Sequence, residues 1–217
     1  MMKKLSTYAA LCSLSILTST ANAQLICLDD SRYINHSIGG TYTPSTPYAD
    51  FDRTWWAYEA GASQNSIVSD TAMSGSGSSY AGFDAMNYGA DATSRFDVSF
   101  GVDQLTDFSL TGSLDTIGYS DGNLYVSLLE NGTEIFGLNM WDLAASGPDP
   151  FSFAGQFATG NTYQLILQSN TYNSDYYDET WAFNLTTVSA VPVPAAVWLF
   201  TSGLISLFMV TKRKSRA

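Results

Sequence analysis

Residues 94–101, SRFDVSFG, decide the fold class of this chain of 217 residues. Apolar and polar residues alternate through the stretch, with Phe96, Val98 and Phe100 set against Arg95, Asp97 and Ser99. Successive side chains of a β-strand point to opposite faces of a sheet. An alternation of this kind therefore predicts a strand with one face buried and the other in water.

The same alternation returns throughout the second half of the chain. Residues expected to share one face are Phe108, Leu110, Gly112 and Leu114; Leu124, Val126 and Leu128; Phe151, Phe153, Gly155 and Phe157; Tyr163, Leu165 and Leu167; and Trp181, Phe183 and Leu185. Asp121-Gly122 is a turn signal, and Asn131-Gly132 predicts a type I′ hairpin leading into residues 133–140. Helical spacing is absent between the two ends of the chain. We therefore expect an all-β fold, a single antiparallel β-sandwich that is jelly-roll-like, with eight to ten strands.

The first half is less regular. Residues 24–50 show no sustained periodicity and predict loops with one short edge strand. Residues 53–60 predict the first substantial strand, in which Trp55 and Trp56 point to opposite faces. The Ser/Gly-rich residues 63–79 predict a loop.

The N-terminus has the three parts of a secretory signal peptide. Lys3 and Lys4 precede an apolar run over residues 5–17, and Ala21 and Ala23 form an A-x-A cleavage site. Residues 1–23 are therefore predicted to be removed, although a non-secreted amphipathic helix is the alternative. Cys27 would then be the single cysteine, either paired with another molecule or inert near a loose N-terminus.

Residues 189–217 also have three parts in a fixed order. The segment Val191, Pro192, Val193, Pro194, Ala195 is followed by an apolar run over residues 195–210 and a basic tail over residues 211–217 with Lys212, Arg213, Lys214 and Arg216. The prolines favour extended backbone. The apolar run predicts a transmembrane helix, slightly short for a full span. The basic residues act as a stop-transfer signal that keeps the C-terminus in the cytoplasm.

This tail resembles the PEP-CTERM family of sorting signals, in the variant with a V-P-x-P-A motif. The resemblance implies that an exosortase, a membrane-embedded protease or transpeptidase, recognises residues 191–195, removes the tail and passes residues 24–188 to the surface of a Gram-negative bacterium that makes exopolysaccharide. The inner membrane would hold the chain only transiently. The spacing of residues 151–167 also looks like a hairpin of secreted β-domains from this family. An ordinary single-pass anchor is the alternative interpretation of the tail.

Charge excludes several partners for the predicted mature chain. Only Arg32, Arg53 and Arg95 remain between the two ends, against all 20 acidic residues, which gives a net charge of −17. Such a chain is repelled by nucleic acid and by anionic lipid. It can attract divalent cations.

Catalytic motifs are missing from the sequence. The single histidine, His36, lies in the irregular first segment and is expected to be a solvated loop residue, and no G-x-S-x-G, H-E-x-x-H or C-x-x-C occurs. With so many acidic residues, carboxylate pairs at a glycosidase spacing carry no information. We expect a non-catalytic protein.

Two kinds of binding residue are candidates. Asp175, Asp178 and Glu179 are expected in the loop before the last strand, where hard oxygen ligands suit Ca²⁺; they are alternatively solvated turn acids. Tyr172, Tyr176 and Tyr177 are expected in the same polar region, exposed for stacking on sugar rings. The sequence thus predicts a secreted structural or adhesive protein associated with exopolysaccharide. The alternatives are a calcium-assisted carbohydrate-binding module and a secreted polysaccharide-active enzyme.

Overall fold

The structure, a computed structural model, describes residues 23–37, 40–44, 46, 49–57, 60–82, 91–117, 122–139, 148–172 and 177–189. None of these residues is helical. Thirteen strands occur in them: β1 (Leu25–Asp30), β2 (Tyr33–His36), β3 (Gly40–Tyr42), β4 (Phe51–Trp56), β5 (Ala60–Val68), β6 (Ala72–Ala81), β7 (Asp91–Val102), β8 (Thr106–Ile117), β9 (Tyr125–Glu130), β10 (Thr133–Asn139), β11 (Asp149–Phe157), β12 (Tyr163–Tyr172) and β13 (Tyr177–Ser189).

The strands form two antiparallel sheets. Sheet A has the order β10-β9-β12-β7-β2-β3. Strand β1 pairs with residues 98–102 of β7, and β2 pairs with residues 92–95 of the same strand. Sheet B has the order β11-β8-β13-β6-β5-β4. The all-β fold and the two-sheet sandwich are therefore confirmed, with more strand segments than the eight to ten expected.

Strands β6 to β13 are paired in a nested order. The pairs are β6 with β13, β7 with β12, β8 with β11 and β9 with β10, and they alternate between sheet B and sheet A. The eight strands thus behave as one long hairpin that is folded across itself. This nesting brings β7 and β12 to the middle of sheet A.

The main core lies between the sheets and is made by the alternating residues of the second half. It includes Phe96, Val98, Phe100, Leu110, Leu114, Leu165, Leu167, Trp181, Phe183 and Leu185, all buried. Each large apolar side chain that is buried stabilises the fold by about 1.5–3 kcal/mol. The alternation predicted for these strands is confirmed.

The predicted hairpin at Asn131-Gly132 is also confirmed. Asn131 has φ 51° and Gly132 has φ 79°, the positive values that a type I′ turn needs at both central positions. Thr133 pairs with Glu130 directly across the turn.

The expectation of loops with one short edge strand over residues 24–50 was wrong, because the segment contributes three strands, β1, β2 and β3. Asp30, at the end of β1, and Arg32, between β1 and β2, have inward-facing side chains where apolar residues are expected. They form an ion pair with each other there, with side chains 1% and 0% exposed. Because these two inward-facing residues are charged, the segment does not show the alternation of apolar and polar residues that identifies a strand in the sequence.

Residues 53–60 do not form one strand. Trp56 pairs with Gly61, and the Ala57 N–H donates to the Ala60 carbonyl oxygen at 2.9 Å, so β4 and β5 form an antiparallel pair that turns back at this point. Trp56 is exposed and Trp55 is partly buried, as their neighbouring positions require.

The loop predicted over residues 63–79 is instead strand β5 and most of β6, inside sheet B. The small residues are needed there for packing. A Cβ atom at Gly77 would clash with the Trp181 ring and with Ser94 Oγ, so glycine makes room for the largest side chain of the core.

His36 is not solvated. It lies in β2, is 1% exposed, and stacks on the Trp55 ring with 3.3 Å between ring centroids. Burial lowers its pKa below the ordinary value, and the charge of Asp91 acts in the opposite direction. Cys27 is half-buried in β1 and packs against the main core, so the N-terminal segment is not loose at that position.

In the part of the chain that the structure describes, no helix is long and apolar enough to cross a membrane.

Candidate functional site

Most residues predicted from the two termini lie outside the described residues. These are Ala21, the motif Val191, Pro192, Val193, Pro194, Ala195, the apolar run over 195–210, and Lys212, Arg213, Lys214 and Arg216. Ala23 is described and is buried.

The two described acids of the predicted calcium loop lie in a strand. Asp178 and Glu179 are consecutive residues of β13 and therefore point to opposite faces of sheet B. Glu179 is buried, and its Oε2 accepts a hydrogen bond from the Asn170 backbone N–H at 3.0 Å. The two carboxylates cannot bind the same ion from these positions, and Asp175 lies outside the described residues.

Asp178 has a neighbour that the sequence did not indicate. Burial raises the pKa of Asp178, and the charge of Asp115 raises it further. The Oδ1 atoms of both carboxylates are inaccessible to solvent and have no hydrogen-bond partner among the described residues. No group of three or more His, Cys, Asp or Glu side chains placed to hold a metal occurs in that same part of the chain.

Of the three tyrosines predicted to contact sugar, Tyr172 is the one whose side chain is described. It ends β12, opposite Asp91, and is 45% exposed. Tyr176 lies outside the described residues, as does the side chain of Tyr177.

A polar site that the sequence did not predict lies on the outer face of sheet A. Arg95 and Asp97 point outward from β7, because Phe96 and Val98 between and beyond them fill the core. Gln168 of β12 and Tyr33 of β2 flank Arg95 in register, on the two neighbouring strands. Both β1 and β2 pair with β7, and the Ser31 N–H donates to the Asp97 carbonyl oxygen of β7 at 2.9 Å, in the short gap between these two pairings.

A network of hydrogen bonds fixes these side chains. Arg95 donates to Asp97 Oδ2 from Nη2 at 2.7 Å and from Nε at 3.2 Å, and from Nη1 to Gln168 Oε1 at 2.7 Å. Gln164 Nε2 donates to Asp97 Oδ1 at 2.7 Å, and Arg95 Nη1 lies 3.4 Å from the Tyr125 hydroxyl. Side chains from three strands, β7, β12 and β9, are therefore joined in one polar array, and Tyr33 of β2 flanks it.

The electrostatics of the array follow from this arrangement. Burial works to lower the pKa of Arg95, but the hydrogen bond and charge of Asp97, together with Tyr125 and Tyr33, raise it overall. Burial is also the main reason why the pKa of Tyr125 is raised, although Arg95 acts against it. Arg95 therefore stays cationic and the Tyr125 hydroxyl stays protonated at every physiological pH.

The array borders a hollow of about 550 Å³. Its lining residues are Asp30, Ser31, Tyr33, Thr43, Pro44, Thr46, Arg95 and Asp97. Thr43, Pro44 and Thr46 belong to the segment that leaves β3 for sheet B and forms one side of the hollow. A volume of this size is in the range of small-molecule sites in proteins.

Asp30, one of the lining residues, has its carboxylate held in the buried ion pair with Arg32. Arg32 Nε and Nη2 donate to the two oxygens of Asp30 at 2.8 and 2.6 Å. Its guanidinium also donates to the carbonyl oxygens of Ser66 and Ala49, at 3.2 and 2.8 Å. Arg32 thus ties β1 and β2 of sheet A to β5 of sheet B and to the chain before β4.

The sequence alone predicts the orientation of two residues of this site. The alternation over residues 94–101 places Arg95 and Asp97 on the polar face. Their partners Gln164, Gln168, Tyr33 and Tyr125 come from three other strands, so only the strand order brings them together.

Comparisons with known proteins give no relative for this chain, since neither a protein-family model nor a curated protein matches it.

Proposed function

We propose that the folded part of this chain is a non-catalytic carbohydrate-binding β-sandwich of a secreted surface or matrix protein. The observation that carries the proposal is the Arg95–Asp97–Gln168–Gln164 network beside the hollow on sheet A. The nested pairing of β6 to β13 supports the jelly-roll-like assignment of the sandwich.

The chemistry of the network suits sugar hydroxyls. Arginine, carboxylate and carboxamide groups together provide donors and acceptors in fixed planes. A hydroxyl can donate to a carboxylate oxygen and accept from an N–H of the neighbouring group. Because the protein side chains are already held by each other, binding costs little side-chain entropy. Tyr33 and Tyr125 add aromatic surface with a polar end, which suits an amphipathic ring.

The two aspartates among the lining residues, Asp97 and Asp30, favour binding over hydrolysis. Both oxygens of Asp97 accept hydrogen bonds, one from Arg95 and one from Gln164. Both oxygens of Asp30 are held by Arg32. A glycosidase needs one carboxylic acid that can give a proton to the leaving oxygen. Neither of these carboxylates is available for that role.

The test is a glycan array probed with the protein and two variants. Arg95→Ala removes the centre of the network, and we expect it to weaken binding at least about tenfold, the value of one charged hydrogen bond. Arg53→Ala, which removes an arginine from β4 of sheet B, is the matched control and should bind as the parent does. Both variants are first checked for a native melting transition. Equal binding by Arg95→Ala and the parent would refute the site, and turnover of a bound glycan would refute the non-catalytic assignment.

A calcium-assisted form of the same function is the second candidate. The Asp115–Asp178 pair favours it, because two buried carboxylate oxygens without described partners are hard ligands of the kind that Ca²⁺ prefers. Calcium should then raise the melting temperature of the parent above that in EDTA, and Asp115→Asn should abolish the increase. A melting temperature that does not respond to calcium removes this candidate.

Export and sorting are part of the proposal and rest on the terminal sequences. The signal peptide over residues 1–23 would send the chain across the inner membrane, and an exosortase would remove the tail at residues 191–195. Intact-mass analysis of the protein recovered from the cell surface or medium tests both steps. A product that begins at Gln24 and lacks the basic tail supports them. A product that ends at Ala217 would contradict sorting and favour a single-pass membrane anchor.

A further inference from the structure

The outer face of sheet A has a second hollow beyond the polar network. It has a volume of about 390 Å³ and is lined by Asn123, Tyr125, Val126, Glu134, Gly137, Leu138 and Asn139. These residues belong to β9, β10 and the chain just before β9. Tyr125 is common to both parts of the face, because its hydroxyl also lies 3.4 Å from Arg95 Nη1.

The two hollows lie along one line across the strands. The order β10-β9-β12-β7-β2 places Asn139 and Tyr125 opposite each other, then Gln168, Arg95 and Tyr33 in register. Adjacent strands are about 4.8 Å apart, so a row across five strands is about 19 Å long. The strand spacing is close to the length of one pyranose unit in an extended glycan, so the row accommodates about four units.

Charge decides which glycans fit this row. The cation of Arg95 is already matched by Asp97 at 2.7 Å. Asp29 is exposed on the same face opposite Ser99, and Glu134 accepts from Ser127 Oγ at 2.7 Å, so the face carries further negative charge. The sequence has no lysine between residues 5 and 211 that could neutralise it.

We infer that the outer face of sheet A is an extended groove for an internal stretch of a neutral polysaccharide, and that it discriminates against glycans that carry carboxylates. This rests on the proposed carbohydrate-binding function and specifies its ligand class. The Asn139 amide and the Tyr125 and Tyr33 hydroxyls along the row form hydrogen bonds with uncharged hydroxyls. A polyuronate would bring like charges next to Asp29 and Glu134 in a protein of strongly negative net charge.

The test compares matched ligands on the full protein. A neutral glycan that the array identifies is prepared in lengths of two, four and six units, and part of each is oxidised at the primary hydroxyls to give the carboxylated form. Calorimetric titration measures both forms at low and at moderate salt. The affinity for the neutral form should rise from two to four units and then level off. The carboxylated form should bind about tenfold more weakly at low salt, and the difference should shrink as salt screens the charges.

Two charge variants make the test specific to this face. Glu134→Gln removes one negative charge and keeps the shape of the side chain, so it should improve binding of the carboxylated form severalfold relative to the neutral form. Asp107→Asn removes an exposed carboxylate from the outer face of sheet B and should change neither.

Each outcome separates the two proposals. Equal or tighter binding of the carboxylated form overturns the inference while the carbohydrate-binding function stands. If two units bind as tightly as four, the proposal of an extended groove is overturned. If the array shows no glycan binding, the proposed function and this inference both fail.

Discussion

The packing of Trp181 on Gly77 gives the sharpest prediction about the fold. Trp181 is 1% exposed, contacts Phe96 and Phe183, and donates from Nε1 to the Ser94 carbonyl oxygen at 3.3 Å. In the variant Gly77→Ala, the new methyl group would overlap the Trp181 ring and Ser94 Oγ. The indole is enclosed by the core and cannot move without disturbing its neighbours.

The cost can be worked out from these contacts. Overpacking a core position costs about 1–3 kcal/mol. A displaced indole also weakens its hydrogen bond, worth about 0.5–1.5 kcal/mol. Replacing a strand glycine by alanine returns about 0.5–1 kcal/mol through the unfolded state. We therefore expect Gly77→Ala to lower the free energy of unfolding by about 2 kcal/mol, which corresponds to a melting temperature about 4–8 °C lower for a domain of this size.

Gly101→Ala is the matched control in a strand of the other sheet. Its new methyl group would have the Asn161 carbonyl oxygen as its nearest neighbour, at 3.7 Å, an ordinary contact. This variant should be as stable as the parent or up to about 1 kcal/mol more stable. Urea unfolding followed by tryptophan fluorescence measures both. Equal unfolding midpoints for the two variants would show that Trp181 does not pack on β6 and would refute this account of the Ser/Gly-rich strands.

Three other perturbations test the buried charges and the histidine. Arg32→Met leaves Asp30 buried without its partner and should cost about 3–5 kcal/mol in urea unfolding, whereas Arg53→Met on exposed β4 should cost less than about 0.5 kcal/mol; similar losses would contradict the buried ion pair. Burial and Asp115 raise the pKa of Asp178, so its charged form destabilises the fold; in EDTA, Asp178→Asn should raise the melting temperature at pH 7, and the gain should vanish below about pH 4, where the parent carboxylate is protonated in both states. A gain that persists at low pH would point to a packing effect. Burial lowers the pKa of His36. As the pH falls from about 6.5 to this lower pKa, the unfolded chain binds a proton that the folded chain does not, so the free energy of unfolding should decrease. His36→Phe should lose this part of the pH dependence, and an unchanged slope would contradict the burial of His36.

Strands in which apolar and polar residues alternate could be predicted from the sequence. Strands whose inward positions hold charged residues or glycines could not. Phe96, Val98, Phe100 and Val102 fill four successive inward positions of β7, so the pattern over that part of the strand is complete on its own. The segment before β4 has Asp30 and Arg32 at inward positions, and their ion pair replaces hydrophobic burial. Such a pair can be recognised only when both partners are seen to face inward.

The prediction of a loop over the Ser/Gly-rich residues 63–79 was wrong for a different reason. Gly77 lowers the strand propensity of β6, and the sequence near it gives no sign of the Trp181 ring that requires it, about a hundred residues later. Tertiary contact therefore overrides local preference at this position. His36 was misassigned in the same way, because Trp55 comes from a strand of the other sheet.

The candidate site shows the same division between local and long-range information. The alternation of β7 put Arg95 and Asp97 on the polar face, but their partners on β2, β9 and β12 depend on strand order. The tyrosines selected from local sequence were chosen for exposure alone. Tyr172 is exposed as expected, yet it lies four residues along β12 from Gln168, the residue that pairs with Arg95.

An NMR titration with the neutral tetrasaccharide of the glycan that the array identifies tests directly whether the Arg95 network binds carbohydrate. The side-chain amide signals of Gln164 and Gln168 report the outer face of sheet A, and that of Asn184, exposed on β13, reports the outer face of sheet B. Binding at the Arg95 network predicts that the two glutamine signals and the Arg95 Nε–H signal shift with one common saturation curve, while Asn184 stays fixed. Shifts confined to sheet B, or to Tyr172 at the end of β12, would contradict the account.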